Sequence, residues 1–254
     1  MKKTSVIPAY RRTAGPKAQI RALAPAERYD ANIDYILHAA AEVFAEKSFG
    51  LASIRDIAAH ARISFPRIYY YLRNKEELLF LVSKRAFEQL VTRAEEQTDN
   101  VQDPEEKLKL FINAHIEYQL NNVAEMKVLI TEAAWLSGRN ATQIARMMHD
   151  YSHLCRKVIE QVAAKHGGAM DRETSRILTS LLFGAMNSVF AWYEPARDRE
   201  QHDRIVEEVY QMVVSPIIAQ NSAQNSAQNS ARNSQKPPDG AVVTAAERSP
   251  QTTS

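Results

Sequence analysis

One stretch, Ala52–Lys75, constrains this chain more than any other: Ala-Ser-Ile-Arg-Asp-Ile-Ala-Ala-His-Ala-Arg-Ile-Ser-Phe-Pro-Arg-Ile-Tyr-Tyr-Tyr-Leu-Arg-Asn-Lys. Two helix starts lie close together in it. Ser53 stands where an N-cap accepts from the first turn, and Asp56, three residues on, is the reciprocal acid of a capping box. Ser64 is the second cap. Pro66 follows in the first turn, where its missing N–H costs nothing. Only Arg62, Ile63 and Ser64 separate the two helices, the turn length of a helix-turn-helix. Ile54, Ile57, Ala58, Ile63, Ile68 and Leu72 can share one small core, with Ala58 small where the helices cross.

What that core leaves outside is Phe65, Arg67, Tyr69, Tyr70, Tyr71 and, just beyond, Arg73 and Lys75. Cations and hydroxyls on one short helix suit a DNA major groove. Arginine can bond a guanine edge in bidentate fashion, while tyrosine and lysine can hold phosphates. The plainer reading is a helical hairpin with a tyrosine-rich packing face. Three adjacent tyrosines point in three directions, so at least one of them belongs to the core.

The same residues carry a family resemblance. Phe44-x-Glu46, Ile54-x-Asp56-Ile57-Ala58, Ala61-x-Ile63-Ser64, Ile68-Tyr69-Tyr70 and Asn74-Lys75-Glu76-x-Leu78 resemble the DNA-binding domain of TetR-family transcriptional regulators over about Tyr29–Val82. The resemblance implies base contacts from Arg55 on the second helix and from Phe65, Pro66, Arg67 and Tyr69 on the recognition helix. It implies phosphate contacts from Tyr71 and Lys75. Ser53, Ser64 and Tyr70 complete the expected DNA-binding set. Ser48 and Arg62 depart from the pattern, standing where glycines are common, and Ala52 stands where a threonine is common. A left-handed conformation at Arg62 would cost about 1–2 kcal/mol.

Charge supports the assignment. The formal net charge is +2. Residues 1–97 hold 16 Lys+Arg against 11 Asp+Glu, a net +5, and residues 98–254 hold 16 against 19, a net −3. The basic excess lies on the half with the helix-turn-helix, as expected where one half touches phosphates. The lone Cys155 excludes an internal disulfide and fits a reducing cytoplasm. No apolar run follows Met1-Lys2-Lys3, so no signal peptide is expected. The uncharged run Ile177–Tyr193 contains Thr179, Ser180, Asn187 and Ser188 and reads as a buried helix, not a membrane span.

In chain order, residues 1–28 form a basic arm broken by Pro8, Gly15, Pro16 and Pro25. It is expected to be disordered, either a solubilising tail or an arm that follows DNA. Residues 29–75 are the helix-turn-helix domain, beginning with an amphipathic helix from Tyr29 to Lys47. Residues 76–97 are a connecting helix, started by Asn74 with Glu77 at the capping-box position. Residues 98–219 are an all-α domain, with helices expected at Pro104–Asn121, Val123–Ser137, Asn140–His166, Asp171–Tyr193 and Asp198–Ala219. Residues 220–254 begin with Ala-Gln-Asn-Ser repeats and are expected to be a disordered tail, since they cannot bury a core. The fold class is therefore all-α: an N-terminal helix-turn-helix and a C-terminal helical bundle, which the resemblance implies serves ligand binding and dimerisation.

Effector-site candidates in that bundle are Trp135, Met147, Tyr151, Phe183, Asn187, Phe190 and Trp192, with Phe111, His115, Tyr118, Met148 and Met186 nearby. Aromatics and methionines at helical spacing are more often plain core. Asn187-x-x-Phe190-x-Trp192-Tyr193-x-Pro195 is similar to a segment of TetR-family repressors of lipid and aromatic-acid breakdown, which implies acyl-CoA thioesters as effectors and Arg139, Arg146 and Arg156 as phosphate partners. His149 and His153 lie four apart beside Asp150, but two ligands make a weak metal site, and neither metal nor cofactor is expected. No Gly-rich phosphate loop, His-Glu-x-x-His or cysteine pair marks an enzyme. The expected function is a dimeric repressor released from operator DNA by a small effector, with the last two ordered helices as dimer face and no membrane partner. The alternatives are a sequence-indifferent architectural DNA binder, or an all-α carrier or enzyme with a basic head.

Overall fold

The computed structural model describes residues 25–193 and 199–234. Among them every regular element is helical. The elements are α1 (Pro25–Lys47), α2 (Ile54–His60), α3 (Phe65–Tyr71), α4 (Lys75–Thr98), α5 (Pro104–Asn121), α6 (Val123–Lys127), α7 (Gly138–Lys165), α8 (Arg172–Ser188) and α9 (Arg199–Ser234). A π turn (Val128–Glu132) and a 3-10 turn (Ala133–Trp135) follow α6, and a second 3-10 turn (Val189–Ala191) follows α8.

Start signals behave as their chemistry requires. Asn74 accepts from Glu77 N, Asp103 from Glu105 N, and Asp171 from Glu173 N and Thr174 N. α1 begins four residues before the expected Tyr29. Pro25 lacks an N–H, so it opens the helix instead of breaking it. The rest of the expected arm, residues 1–24, lies outside the described residues.

The C-terminal end differs more. α9 runs through the Ala-Gln-Asn-Ser repeats to Ser234 instead of ending near Ala219. Failure to bury a core does not prevent helix propagation. Ala and Gln are good helix formers, and a helix already anchored through Ile205, Val206, Tyr210, Val213, Val214 and Ile217 adds a bond for each further residue. The remainder of the expected tail, 235–254, lies outside the described residues.

Two cores merge into one. Ile36, Ala40, Val43 and Phe44 of α1 close over Ile57, Ala58, Ile68 and Leu72, while Ile54 and Ile63 are half-buried at the margin. α4 and α5 form an antiparallel hairpin, tied by Arg93–Glu117 and Gln97–Asn113 side-chain bonds. Leu90, Ala94, Leu108, Ile112 and Ile116 fill its interior, against α7 and α8. The segment Val123–Ser137 lies between the hairpin and the N-terminal helices. Lys127 Nζ donates to Ala45 O at 2.7 Å, Phe49 N donates to Glu132 Oε2 at 3.0 Å, and Ser137 Oγ donates to Glu76 Oε1 at 2.8 Å.

Candidate nucleic-acid interface and interior polar cluster

α2 and α3 form the expected helix-turn-helix. Ser53 caps α2 by accepting from Asp56 N, and Asp56 Oδ2 accepts from Ser53 N at 2.8 Å, completing the capping box. Lys47 pairs with Asp56 at 2.7 Å, and this ammonium together with Ser53 holds the carboxyl below the usual carboxylate range. Ser64 occupies the N-cap of α3 but makes no side-chain capping bond, unlike Ser53. Its extended backbone and Pro66 in the first turn start the helix without it.

The two glycine-like positions are left-handed, as the departures from the family pattern imply. Ser48 has φ 64° and Arg62 φ 52°, the non-glycine residues with positive φ among those described. Both reverse the chain immediately after a helix, a position where glycine costs least.

Arg55, Ser64, Phe65, Pro66, Arg67, Tyr69 and Tyr70 are all exposed. The Arg55 guanidinium lies over the Phe65 ring, which meets the Tyr69 ring edge to face with centres 5.1 Å apart. Arg67 donates to Asn32 Oδ1 at 3.1 Å, so α1 steadies it from behind. Tyr70 is 74% exposed, far more than a core tyrosine. α3 therefore presents the Arg67 guanidinium, two phenols and a phenyl ring to solvent, with Arg55 of α2 beside them, a set that suits a major groove.

Two members of the expected DNA-binding set sit differently. Tyr71 is half-buried, with its ring 5.1 Å from Tyr29 and 5.0 Å from Tyr70, and it is the inward one of the three tyrosines. Lys75 is turned inward. Its Nζ donates to Phe49 O at 2.7 Å and Ala52 O at 2.9 Å, and lies 4.4 Å from the centre of the Phe49 ring. Two carbonyls left open by the reversal at Ser48 draw the cation in. Its first role is to tie the α1–α2 loop to α4, a role that sequence position alone did not suggest.

The C-terminal interior gathers part of the expected effector set. Tyr151 lies at its centre, with ring centres 4.8 Å from Phe111, 5.6 Å from Phe183, 5.7 Å from Phe87 and 6.0 Å from His115. His115 is buried and bonded to Asn187 Oδ1 at 3.1 Å. Burial pushes its imidazole down to about 4, so at neutral pH the ring is uncharged. Tyr151 OH lies 3.4 Å from the other ring nitrogen, and Gln119 Nε2 donates to Asn187 O at 3.2 Å. Met147 and Phe190 are half-buried on α7 and in the second 3-10 turn.

Trp135 and Trp192 do not join this cluster. They are 58% and 59% exposed. Trp135 packs on Phe49, ring centres 6.0 Å apart, and over Gly50. Extrapolating a straight α-helix misplaces both. The π turn after Lys127 retards the helix phase before Trp135, and the 3-10 turn after Ser188 tightens it before Trp192, leaving Tyr193 as the buried neighbour. Arg139 and Arg146 are exposed, and Arg156 pairs with Glu160 at 3.8 Å. His149 and His153 stack 6.3 Å apart, yet no group of three metal-ligating side chains forms among the described residues. No helix among those residues is long and apolar enough to cross a membrane. Gln119 escaped the sequence reading, although the four-residue spacing Phe111, His115, Gln119 marks it as inward-facing.

Comparison with known proteins agrees with this geometry. Residues 36–82 match the family described as "Bacterial regulatory proteins, tetR family", and residues 101–217 match "Tetracyclin repressor-like, C-terminal domain". A "Fatty acid metabolism regulator protein" of Bacillus subtilis is 35% identical over 80 residues, 32% of this chain and 41% of that protein, so the match spans under half of that relative. The "HTH-type transcriptional activator FasR" of Mycolicibacterium smegmatis is 22% identical over 69% of this chain and 78% of its own length. Among solved structures, AibR in complex with isovaleryl coenzyme A and operator DNA superposes with a TM-score of 0.63 at 20% identity, covering 71% of this chain and 96% of that one.

Proposed function

We propose that this chain, which belongs to the TetR family of transcriptional regulators, is a dimeric repressor that leaves its operator when an acyl-CoA thioester binds the C-terminal domain. The observation that carries the DNA-binding half is the exposed surface of α2 and α3. Phe65, Arg67, Tyr69 and Tyr70 are exposed on a helix short enough to enter a major groove, and Arg55 of α2 stands beside them. Arg67 reads a base, while Tyr70 and the flanking cations hold the backbone.

Dimerisation is supported by an apolar stripe left open on α8. Ile177 and Leu181 are 46% and 59% exposed, and the exposed Gly184 and Ser188 continue the same face. Met212 and Ile218 of α9 are exposed alongside. A stripe with a glycine at its middle allows a second copy close approach. A two-fold pair then sets the two recognition helices one DNA turn apart, about 34–36 Å.

The effector reading rests on His115, Gln119 and Tyr151, buried among aromatic rings, and on half-buried Asn187, which bonds to the first two. It is also supported by the isovaleryl coenzyme A bound to AibR and by the name of the Bacillus subtilis fatty acid metabolism regulator. An effector need only bind one spacing of the heads better than the other to shift the population. A footprint of the purified protein on the DNA upstream of its own reading frame, repeated with isovaleryl-CoA and longer acyl-CoAs, tests both halves. Protection of a two-fold site, lost on addition of a thioester, is the expected result. An unprotected upstream region, with equal affinity for unrelated duplexes, would overturn it. One relative is named an activator, and a promoter fusion read with and without the protein distinguishes that sign from repression.

A further inference from the structure

Among the described residues, two buried side-chain polar atoms are without a hydrogen-bond partner: the Ser83 hydroxyl and the Gln119 side-chain carbonyl. Both residues are fully buried. Such groups are uncommon in native interiors and call for an explanation, since an unmet donor or acceptor forfeits its hydration. Neither is accounted for by the helix it stands on. Gln119 cannot relieve its carbonyl by turning the amide over, because Nε2 already donates to Asn187 O, and a flip would set two oxygens against each other.

Their positions relate them. Ser83 precedes Phe87 by one turn on α4, and Gln119 follows His115 by one turn on α5. Phe87 and His115 both pack on Tyr151. Because α4 and α5 run antiparallel, a step back along one and a step forward along the other go the same way. Both residues therefore stand one turn nearer the DNA-binding head than the Phe87 and His115 contacts with Tyr151. The rest of the polar set is occupied. The neutral His115 donates from Nε2 to Asn187 Oδ1, which leaves Nδ1 to accept from the Tyr151 hydroxyl. What is open is an acceptor at Gln119 and a donor-or-acceptor at Ser83.

We propose that these two atoms receive the polar group of the effector, and that the effector brings an N–H or O–H donor to Gln119 and an oxygen to Ser83. This inference rests on the effector reading above and narrows it. The ligand class is an acyl thioester with a hydroxyl or amide at that depth, not a plain alkyl chain. Two parts of such a molecule offer the chemistry: an amide of the pantetheine arm, or a hydroxyl on the acyl chain. Phe183, against Tyr151 and His115, and Asn187 are the half-buried members of the cluster.

The test uses the full chain on its operator, with octanoyl-CoA, 3-hydroxyoctanoyl-CoA and free 3-hydroxyoctanoate as probes, in the wild type, Ser83→Ala and Gln119→Leu. Without a probe, Ser83→Ala should melt at or above the wild-type temperature and bind operator equally, because it removes an unmet group. With a probe, it should need about tenfold more thioester for release, the equivalent of one hydrogen bond. Gln119→Leu should show the same rise in required thioester. Release of the wild type by octanoyl-CoA places the pantetheine amide at Gln119. Release only by the hydroxylated probes places the chain hydroxyl there. If the variants melt lower without a probe and respond to it unchanged, the two atoms serve a buried water and the inference is wrong. If no probe releases the wild type, the ligand class is wrong. Both results leave the regulator reading standing, because only loss of the footprint itself removes that.

Discussion

Lys75→Met separates two roles that the same position could fill. Methionine keeps the apolar stem and deletes the ammonium. The deleted group donates to Phe49 O and Ala52 O and lies over the Phe49 ring. Each hydrogen bond from a charged donor contributes about 1.5–3 kcal/mol, and the cation–π contact about 0.5–1 kcal/mol where solvent reaches it. Against this, freeing the long side chain returns up to about 2 kcal/mol of rotamer entropy, and water can reach the half-buried loop. The expected net loss is about 2–3 kcal/mol, or a melting temperature lower by roughly 5–10 °C for a chain of this size. The assay is a urea titration at fixed pH, in which the midpoint should fall with an unchanged slope. A parallel salt series on operator binding should keep the wild-type dependence. A lysine that neutralised one phosphate would instead flatten log K against log salt by about 0.9 for each protomer bound. Wild-type stability together with the flatter salt slope would refute the structural role.

Ser48→Gly should stabilise the protein by about 0.5 kcal/mol, because relief of the left-handed backbone slightly exceeds the extra freedom glycine gives the unfolded chain; the urea midpoint reads it. His115 gives a pH dependence. Its folded value of about 4 lies below the ordinary 6.5, so acidification through that window favours the unfolded state and removes up to roughly 3 kcal/mol. His115→Gln should flatten stability between pH 4.5 and 6.5, and an unchanged slope would exclude His115 as its source. Arg67→Ala should weaken operator binding by about 1–3 kcal/mol and relax preference at one base of each half-site, with non-specific affinity almost unchanged, as read by competition with mutated operators.

The helix-turn-helix was legible because its information is local. Ser53 with Asp56, Pro66 in a first turn, and apolar residues at fixed spacing act within one or two turns of themselves. The cost implied at Arg62 could be read from a missing glycine for the same reason. Lys75 was not legible in the same way. Its partners are Phe49 and Ala52, carbonyls that become available only after the loop reverses at Ser48, and nothing in a lysine's neighbours in sequence announces that. The two tryptophans fail for a third reason. Periodicity carries side-chain direction only while the helix stays α, and both follow turns of a different pitch. Gln119 lay within reach, since it repeats the spacing of Phe111 and His115, but a list chosen for aromatics and methionines passes over an amide. The reach of α9 through the repeats was hidden because composition tests whether a segment can form a core, not whether a helix already formed will continue.

The residues that position reasoning missed are also those that join the two halves of the molecule. The loop Ser48–Ala52 lies immediately before the capping box of α2, and it is gripped from two sides. Lys75 holds its carbonyls from α4. Glu132 accepts from Phe49 N, and Trp135 lies against the Phe49 ring, both from the segment after α6. Ser83 stands eight residues beyond Lys75 on the same uninterrupted helix, about 12 Å along its axis. A group bound at Ser83 and Gln119 therefore acts on a rigid rod whose other end carries the tie to the DNA head. It also acts within one domain on the π turn that carries the second tie, since α4 packs directly on that turn. A π turn differs from α-helix by a single hydrogen-bond step, so a return of this turn to α-helix would displace the second tie. Coupling of this kind needs no large motion in the interior. It needs only that the effector fit one arrangement of α4 and the π turn better than the other, because the Phe49 loop cannot keep both ties if the two move apart.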